Sequence, residues 1–135
     1  MFETKIAIVV REDLQVWQKL NVTAFLMSGI VGGAPEIVGE PYVDAAANTY
    51  ASLTIQPVIV LAADAATLAK IHARALDRGV RAALYIEEMF ATGHDAANRA
   101  VFAGYGPDTA KVVGIALREE KKLVDKITKG ARMHP

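Results

Sequence analysis

Short apolar runs alternate along the chain with longer stretches of helical periodicity. Four of these runs indicate strands, and the first, which is continuous and rich in β-branched residues, is typical of a strand covered on both faces. They span residues 6–10, 58–61, 82–86 and 112–117. Pro57 cannot donate to a strand ladder, so it belongs at the start of the second strand. The pattern predicts four strands.

The first helix is predicted between the first two strands. It begins at Leu14, with Asp13 as its N-cap, and stops at the glycines that precede Pro35. Apolar residues recur in it every three or four positions. Because residues 24–31 are apolar almost all round, we expect this half of the helix to be largely buried.

Two further helices carry clear boundary signals. Asp64 caps the second helix and Gly79 closes it, while Glu119 and Glu120 open the last one. A short helix is also expected around residues 96–102. The order β-α-β-α-β-loop-β-α predicts a single domain over residues 1–135, with a three-layer α/β/α architecture and a four-stranded mixed sheet.

Two long connections separate the predicted elements, residues 33–56 and 91–110. Connections of this length without a sustained period are often functional. The second contains Gly104, Tyr105 and Gly106, which indicate a glycine-containing turn rather than a phosphate loop, because the strand-to-helix context is missing. The roles of both connections stay open at this point.

Composition narrows the function classes. The chain has 15 Lys and Arg and 15 Asp and Glu, so its formal net charge is zero. A dedicated nucleic-acid binder usually has a basic excess, so RNA binding is not favoured, although a local basic patch is not excluded. The absence of cysteine removes disulfides, thiolate nucleophiles and cysteine-based metal sites. Three scattered histidines lack the spacing of a metal site, and no cofactor is expected.

The chain begins with a polar segment that enters a strand at once, without a signal-peptide pattern. Its apolar runs are far too short to span a bilayer. We therefore expect a cytoplasmic protein without a membrane partner. Its alanine-rich helices are suited to symmetric packing, which makes a homodimer a reasonable expectation.

Three ordered blocks resemble the type II peptidyl-tRNA hydrolase superfamily. Residues 5–14 are similar to its first strand and Arg-x-Asp-Leu turn, and residues 58–68 to its second strand and capped helix. Val112–Ala116 followed by Val124–Thr128 is similar to its last strand and Val-Asp-Lys-Val-Thr ending. The blocks cover about half the chain. The resemblance implies a peptidyl-tRNA hydrolase-like sheet.

Two shorter segments, Leu20–Val22 and Gly39–Tyr42, resemble more closely an uncharacterised bacterial family of this length. That family is a domain of unknown function within the same superfamily. The resemblance therefore indicates a relative of the hydrolases rather than a typical member.

The resemblance also implies catalytic positions, which this chain keeps only in part. Lys19 matches the hydrolases' helix lysine only with a one-residue shift, and Thr23 or Ala24 then stands where they have glutamine. Leu61 replaces a lysine at the end of the second strand.

The hydrolases' Asp-Ala-Gly-Arg-Thr turn corresponds to residues 88–92, where Glu88 keeps the carboxylate and Thr92 the hydroxyl. The glycine and the arginine are absent. The loss of cationic groups weakens both the binding of tRNA phosphates and the stabilisation of charge in an ester-cleaving transition state.

The catalytic candidates are thus Lys19, Glu88, Thr92 and Asp13. Arg11 and Asp13 follow the first strand, where open α/β sheets place ligand sites, although a helix cap with a neighbouring surface charge explains them too. Carboxylate, hydroxyl and imidazole groups after the third strand, including His94, can supply a general base and a proton relay, but a solvated loop explains the same residues. Only one of Glu87 and Glu88 faces a given site if both lie in a strand.

Further ligand-binding candidates are Asn21, which would need a partner inside its apolar helix, and Thr23. Tyr42 could line a pocket from the first long connection or anchor that connection to the core. His72 is expected to be a partly buried helix residue. We hypothesise a protein that binds a small ligand or partner in the hydrolase cleft without efficient peptidyl-tRNA hydrolysis. The alternatives are an ester or amide hydrolase, including one acting on an aminoacylated nucleotide, and a purely structural or oligomeric role.

Overall fold

A computed structural model describes residues 2–135 as a mixed α/β fold with four α-helices. In chain order the elements are β1 (Thr4–Arg11), α1 (Val16–Gly33), β2 (Tyr42–Val43), β3 (Thr49–Tyr50), β4 (Val58–Ala63), α2 (Ala65–Asp77), β5 (Ala83–Ile86), α3 (Asp95–Ala103), β6 (Val112–Glu120), α4 (Lys121–Ile127) and β7 (Arg132–Met133), with 3-10 helices at Pro35–Ile37 and Glu87–Ala91. Every predicted strand and helix is present.

The main sheet has five strands in the order β5-β6-β1-β4-β7. β1 and β4 are parallel, whereas β6 is antiparallel to both β1 and β5, and β7 is antiparallel to β4. The prediction of a four-stranded sheet was therefore wrong by one strand. The additional strand, β7, has only two residues, Arg132 and Met133, which carry no strand pattern of their own. It forms only because it adds to the free edge of β4.

The core lies on both faces of the sheet because β1 is buried on both. Ile6, Ile8 and Val10 pack in one apolar cluster with α1, and Ala7 and Val9 pack in a second cluster with α2 and α4. All five residues are at most 1% exposed. This alternation accounts for the continuous apolar run in the sequence.

The boundaries of two helices differ from the prediction. α1 begins at Val16, and the backbone N–H of Gln15 donates to Gln18 Oε1 at 3.0 Å. Asp13 does not cap it, because its carboxylate binds Arg11 instead.

The two glutamates predicted to open the last helix belong to β6, where Glu119 lies opposite Lys5 of β1. Glu120 is the last strand residue and also the N-cap of α4, since its side chain accepts from the backbone N–H groups of Lys122 and Leu123. The longer pairing with β1 moves the start of the helix to Lys121.

The prediction for α2 is confirmed. Asp64 accepts a hydrogen bond from the backbone N–H of Thr67 at 2.8 Å, and Gly79 ends the helix with a φ of 65°. This φ lies in the left-handed region that favours glycine. His72 is half-buried, as expected.

Helix α1 lies directly on β6. A Cβ atom on Gly114 would come within 2.6 Å of Val22 and 2.8 Å of Leu26, so the strand needs a glycine there. The expectation that residues 24–31 are largely buried was wrong, because only the inner side of the helix is covered. Phe25, for example, remains 51% exposed.

The first long connection contains structure of its own. β2 and β3 form a two-stranded antiparallel hairpin, and Val38 and Thr54 form an isolated bridge at its base. Every residue from 40 to 51 is exposed. The hairpin therefore projects from the body of the domain. No helix within residues 2–135 has the length and apolar character needed to cross a membrane.

Candidate functional site at the carboxyl edge of the sheet

Strands β1, β4 and β5 all point the same way, so their carboxyl ends lie at one edge of the sheet. We call it the carboxyl edge. In open α/β sheets this edge is where ligands most often bind. Helix α1 begins near it and runs towards the opposite edge, since Val22 lies over Gly114 and the later residue Gly29 approaches Ala83, the first residue of β5.

Four charged residues lie at the carboxyl ends of β1 and β5 or directly after them. We call Arg11, Asp13, Glu87 and Glu88 the edge cluster. The Arg11 side chain is only 12% exposed. Its Nε donates to Asp13 Oδ1 at 2.5 Å, and its Nη2 donates to Glu87 Oε1 at 3.4 Å. Burial alone lowers the pKa of Arg11, but the hydrogen bonds to the two carboxylates outweigh it, so the pKa is raised. The Arg11 side chain therefore stays positively charged.

Glu88 is the least satisfied member of the edge cluster. Its Oε1 atom is buried and has no hydrogen-bond partner among residues 2–135. A buried carboxylate oxygen without a donor costs free energy, and a bound molecule that donates to it would recover that cost. This makes Glu88 the most informative polar group of the site.

The local backbone explains why both glutamates reach the same region. They open a 3-10 helix at Glu87–Ala91 rather than continuing β5, so the strand alternation expected for them does not apply. A bulge in β6 accompanies this change, because Tyr85 pairs with Gly114 but Ile86 pairs with Val112. Bulges are common beside functional sites, where they redirect the chain.

Four aromatic rings adjoin the edge cluster in a continuous series, which we call the aromatic row. The ring of Trp17 lies 6.1 Å from that of Phe90, Phe90 lies 5.3 Å from Tyr85, and Tyr85 lies 5.8 Å from Phe25, measured between centroids. Tyr85 is buried, whereas Trp17 and Phe25 are 57% and 51% exposed. The row thus presents two exposed aromatic rings, one of which packs on Phe90, two residues after Glu88.

Asn21 lies one helical turn from both Trp17 and Phe25 and is half-exposed. Its amide therefore sits between the two exposed rings of the aromatic row. Spacings of four residues put Trp17, Asn21 and Phe25 on one side of α1, and this spacing was visible in the sequence. Sequence reasoning nevertheless missed the aromatic row as a site, because Tyr85 and Phe90 come from a distant part of the chain.

The other helix candidates have backbone or packing roles. Lys19 is half-buried, on the same side of α1 as Val22 and one turn nearer the carboxyl edge. The hydroxyl of Thr23 donates to the carbonyl oxygen of Lys19 at 2.7 Å, a bond within the helix. Thr23 does not offer that proton to a ligand in this structure.

The residues after the 3-10 helix are also engaged locally. The Thr92 hydroxyl donates to the carbonyl oxygen of Met89 at 2.8 Å and contacts Asn98 Oδ1. His94 is the N-cap of α3, and its Nδ1 accepts from the backbone N–H of Ala97 at 3.2 Å. These contacts place His94 at the start of α3, outside the edge cluster.

Tyr42 lies apart from the carboxyl edge. It is in the projecting hairpin, where it shares a surface groove with Met27, Val31 and Val58. Val58 is the first residue of β4, so this groove is at the opposite edge of the sheet. The structure therefore brings Arg11 and Asp13 together with Glu87, and leaves Tyr42 elsewhere.

The arrangement is suited to binding more clearly than to metal chemistry. Within residues 2–135 no group of three or more acidic or histidine side chains is placed to hold a metal ion. The carboxyl edge carries an arginine held by two carboxylates and a buried Glu88 oxygen without a donor, and α1 contributes two exposed aromatic rings. This combination recognises a flat ring that carries a hydrogen-bond donor.

Comparison with known proteins gives a family and a close structural neighbour. The family described as protein of unknown function (DUF2000) matches residues 4–135, nearly the whole chain, so the chain belongs to this family. The solved structure of a protein of unknown function, Atu0240 from Agrobacterium tumefaciens strain C58, is similar with a TM-score of 0.99 and 65% identity over 100% of both chains. No curated protein matches the chain at a significant level.

Proposed function

We propose that this member of the DUF2000 family binds a small molecule at the carboxyl edge and does not cleave peptidyl-tRNA efficiently. The ligand carries a flat ring, which packs on the exposed faces of Trp17 and Phe25, and an N–H donor group, which reaches Glu88. The buried, unpartnered Oε1 of Glu88, two residues before Phe90 of the aromatic row, carries the proposal.

The scaffold of this proposal is the three-layer, type II peptidyl-tRNA hydrolase-like fold that the sequence blocks imply. Weak hydrolysis follows from what the chain lacks: Leu61 stands at a lysine position, and residues 89–91 lack the arginine and glycine of the hydrolase turn. The neutral net charge supports the same conclusion, because tRNA binding draws on positive charge.

The chain offers a direct reporter for the ligand, since Trp17 is its single tryptophan. Puromycin is a suitable probe because it combines a purine ring with a primary amine. We expect it to change Trp17 fluorescence in a saturable manner. Glu88→Gln should weaken binding about tenfold or more, because a hydrogen bond to a charged group contributes roughly 1.5–3 kcal/mol.

Glu40→Gln is the matched control, since Glu40 is an exposed carboxylate in the other long connection. It should bind puromycin as the unmodified chain does. Equal affinity of the Glu88→Gln protein would remove Glu88 from the site. No fluorescence change at millimolar puromycin would contradict the aromatic row as a binding surface.

The hydrolase alternative uses the same carboxylate as a general base acting with Lys19, Thr92 and Asp13. The free Oε1 of Glu88 is the observation in its favour. Turnover of an N-acetylaminoacyl-tRNA that falls in both Glu88→Gln and Lys19→Ala would establish it. Rescue of a peptidyl-tRNA hydrolase-deficient strain at normal expression would overturn the leading proposal.

We further propose that a second copy of the chain covers the outer side of α1. Val16, Leu20, Ala24, Met27 and Val31 are spaced four, four, three and four residues apart and so form one apolar stripe. We call it the outer stripe. Val16 and Leu20 are 71% and 68% exposed.

The projecting hairpin continues this surface, since the groove beside Met27 and Val31 is also lined by Val38, Tyr42 and Leu53. The large exposed side chains of the stripe and the first connection offer on the order of 900 Å², against the roughly 800 Å² per partner of a standard interface. The residues are Val16, Leu20, Val38, Tyr42, Val43, Tyr50, Leu53 and Ile55.

The absence of charge in the sequence from residue 20 to residue 35 favours a second copy over a charged partner. A two-fold interface brings a surface against itself, and the uncharged helical part of this surface does so without repulsion. Light scattering should then give about twice the monomer mass of 14.5 kDa.

A further inference from the structure

An apolar recess lies on the other face of the sheet. It has a volume of about 290 Å³ and is enclosed by α2, β5 and the segment that follows α3. Ala75 and Ile86 in its wall belong to the apolar cluster of α2, whereas Tyr85 belongs to the cluster of α1. The recess, which we call the α2 pocket, is thus separated from the aromatic row by the sheet itself.

Small residues create the space. Ala75, Ala82, Gly106 and Ala110 all line the α2 pocket, and none of them has a side chain long enough to fill it. Larger apolar side chains, Leu76, Phe102 and Tyr105, lie around it and are 51%, 39% and 42% exposed. A molecule seated between them would cover apolar surface that now faces water.

The lining defines the chemistry of that molecule. The described lining residues include no lysine, arginine, aspartate or glutamate. A charged ligand would therefore lose its hydration without gaining an ionic partner, which is unfavourable. Phosphates, carboxylates and ammonium groups are excluded on this ground.

Two side chains in the lining can make hydrogen bonds, His72 and Tyr105. Burial lowers the pKa of His72, so its imidazole is neutral at pH 7. A neutral imidazole offers one donor and one acceptor nitrogen. Both side chains are thus matched to an uncharged polar group.

The volume of the α2 pocket limits the size of its ligand. An apolar protein cavity of ~150 Å³ accommodates benzene, so about 290 Å³ accommodates a ring system roughly twice as large. This corresponds to about ten to twelve non-hydrogen atoms. Two fused rings with one small substituent have this size.

We infer that the α2 pocket is a second small-molecule site, which takes an uncharged, fused-ring compound with a single hydroxyl or N–H group hydrogen-bonded to His72. The inference does not depend on the ligand proposed for the carboxyl edge. It also gives a role to the second long connection, because Phe102, Tyr105 and Pro107 form the outer wall of the pocket.

The test compares 2-naphthol, the probe, with 2-naphthoate, its charged counterpart. Binding of each compound to the full chain is detected in NMR spectra. We expect 2-naphthol to bind with a Kd on the order of 100 µM, given its number of atoms. The shifted signals should be the methyl groups of Ala75, Ala82 and Ala110. 2-Naphthoate should bind at least about tenfold more weakly, because its charge finds no partner.

Two variants and a control locate the site. Ala110→Leu fills the α2 pocket and should abolish binding, whereas Ala73→Leu, the same substitution at an exposed position of α2, should leave it unchanged. His72→Leu should weaken 2-naphthol binding about fivefold through the lost hydrogen bond. It serves as the deciding variant if the Ala110→Leu protein does not fold.

Three results would overturn the inference. The first is unchanged binding of 2-naphthol to the Ala110→Leu protein or, where that protein does not fold, to the His72→Leu protein. The second is equal affinity for 2-naphthoate. The third is a set of shifts confined to α1 and Trp17, which would place the compound on the aromatic row.

Discussion

Helices α1 and α2 cover opposite faces of the same sheet but expose different kinds of side chain to solvent. Helix α2 is conventional: Leu68, Ile71 and Ala75 on its inner side are buried, and charged residues on its outer side, such as Lys70 and Asp77, are exposed. The sequence of α2 therefore divides into an apolar and a polar side, as expected for a helix with one side in solvent.

Helix α1 has no such division. Its inner side is buried through Val22, Leu26 and Ile30, yet its outer side is also apolar, with Leu20 and Phe25 exposed. A helix that is apolar all round normally lies in a core. Helix α2 therefore has a polar side in solvent, whereas the outer side of α1 exposes apolar side chains.

The strongest way to break this contrast is to make the outer side of α1 resemble that of α2. Leu20→Lys places a charge in the outer stripe. In a two-fold interface the change occurs twice, and each lost leucine contributes about 1.5–3 kcal/mol of burial, so the dimer should weaken by about 3 kcal/mol or more. Analytical ultracentrifugation should then show a monomer.

Ala69→Lys is the matched control, because it adds the same charge to an exposed position of α2. It should leave the mass unchanged. A monomeric unmodified chain, or a dimer in both variants, would show that the outer stripe is not an interface between copies.

Substitutions at the inner side of α1 should change the free energy of unfolding and leave the dimer intact. Gly114→Ala introduces a Cβ into contact with Val22 and Leu26, and overpacking of this kind costs roughly 1–3 kcal/mol. We expect the free energy of unfolding in urea to fall by about 2 kcal/mol. Gly32→Ala, in a part of α1 where a Cβ meets no atom within 4 Å among the described residues, should be neutral or slightly stabilising.

A double-mutant cycle sharpens this result. Val22→Ala removes the atom nearest to the new Cβ, so the cost of Gly114→Ala should shrink by about 1 kcal/mol or more when both changes are present. Additive costs would mean that the helix adjusts as a whole and that Gly114 does not set its distance from the sheet.

The same contrast separates what the sequence could predict from what it could not. Strands β1, β4, β5 and β6 and helix α2 follow from local pattern, since each apolar run, cap and terminating glycine is identified from neighbouring residues. For α1, periodicity reveals that both sides are apolar but not which side the sheet will cover. The prediction of burial for residues 24–31 failed for this reason.

The candidate site is non-local in the same sense. Arg11 and Glu87 are 76 positions apart and lie at the ends of β1 and β5, two strands on either side of β6 whose carboxyl ends share one edge of the sheet. The sequence indicated that polar groups follow each strand. It did not show that the aromatic rings would line up beside them, because that depends on how α1 crosses the sheet.

A smaller effect is expected at the start of α2, where the helix depends on its cap. Asp64→Ala removes the acceptor for the Thr67 N–H and should lower the free energy of unfolding by about 1 kcal/mol. Asp13→Ala is the informative comparison, because Asp13 precedes α1 without capping it and binds Arg11 at the surface. Asp13→Ala should lower the free energy of unfolding less than Asp64→Ala does. A larger decrease would mean that the edge cluster stabilises the fold.

The smallest effect should be seen in the hairpin that extends the outer stripe. Asp44 accepts hydrogen bonds from the backbone N–H groups of Ala46 and Asn48 and from the Tyr50 hydroxyl. The Asn48 side chain also donates to it, and these bonds lower the pKa of Asp44 from 3.8 to about 2. Because the folded pKa is depressed, the contribution of Asp44 is fully present above pH 3.8 and is lost as the pH falls through about 2.

NMR titration of the Asp44 carboxyl should therefore give a midpoint near 2, and the amides of Ala46 and Asn48 should lose protection from hydrogen exchange over the same interval. A midpoint at the ordinary aspartate value of 3.8 would mean that the hairpin is not held by Asp44 in solution. The hairpin would then lack the fixed shape with which it extends the outer stripe, and its exposed tyrosines would no longer support a surface built for a second copy.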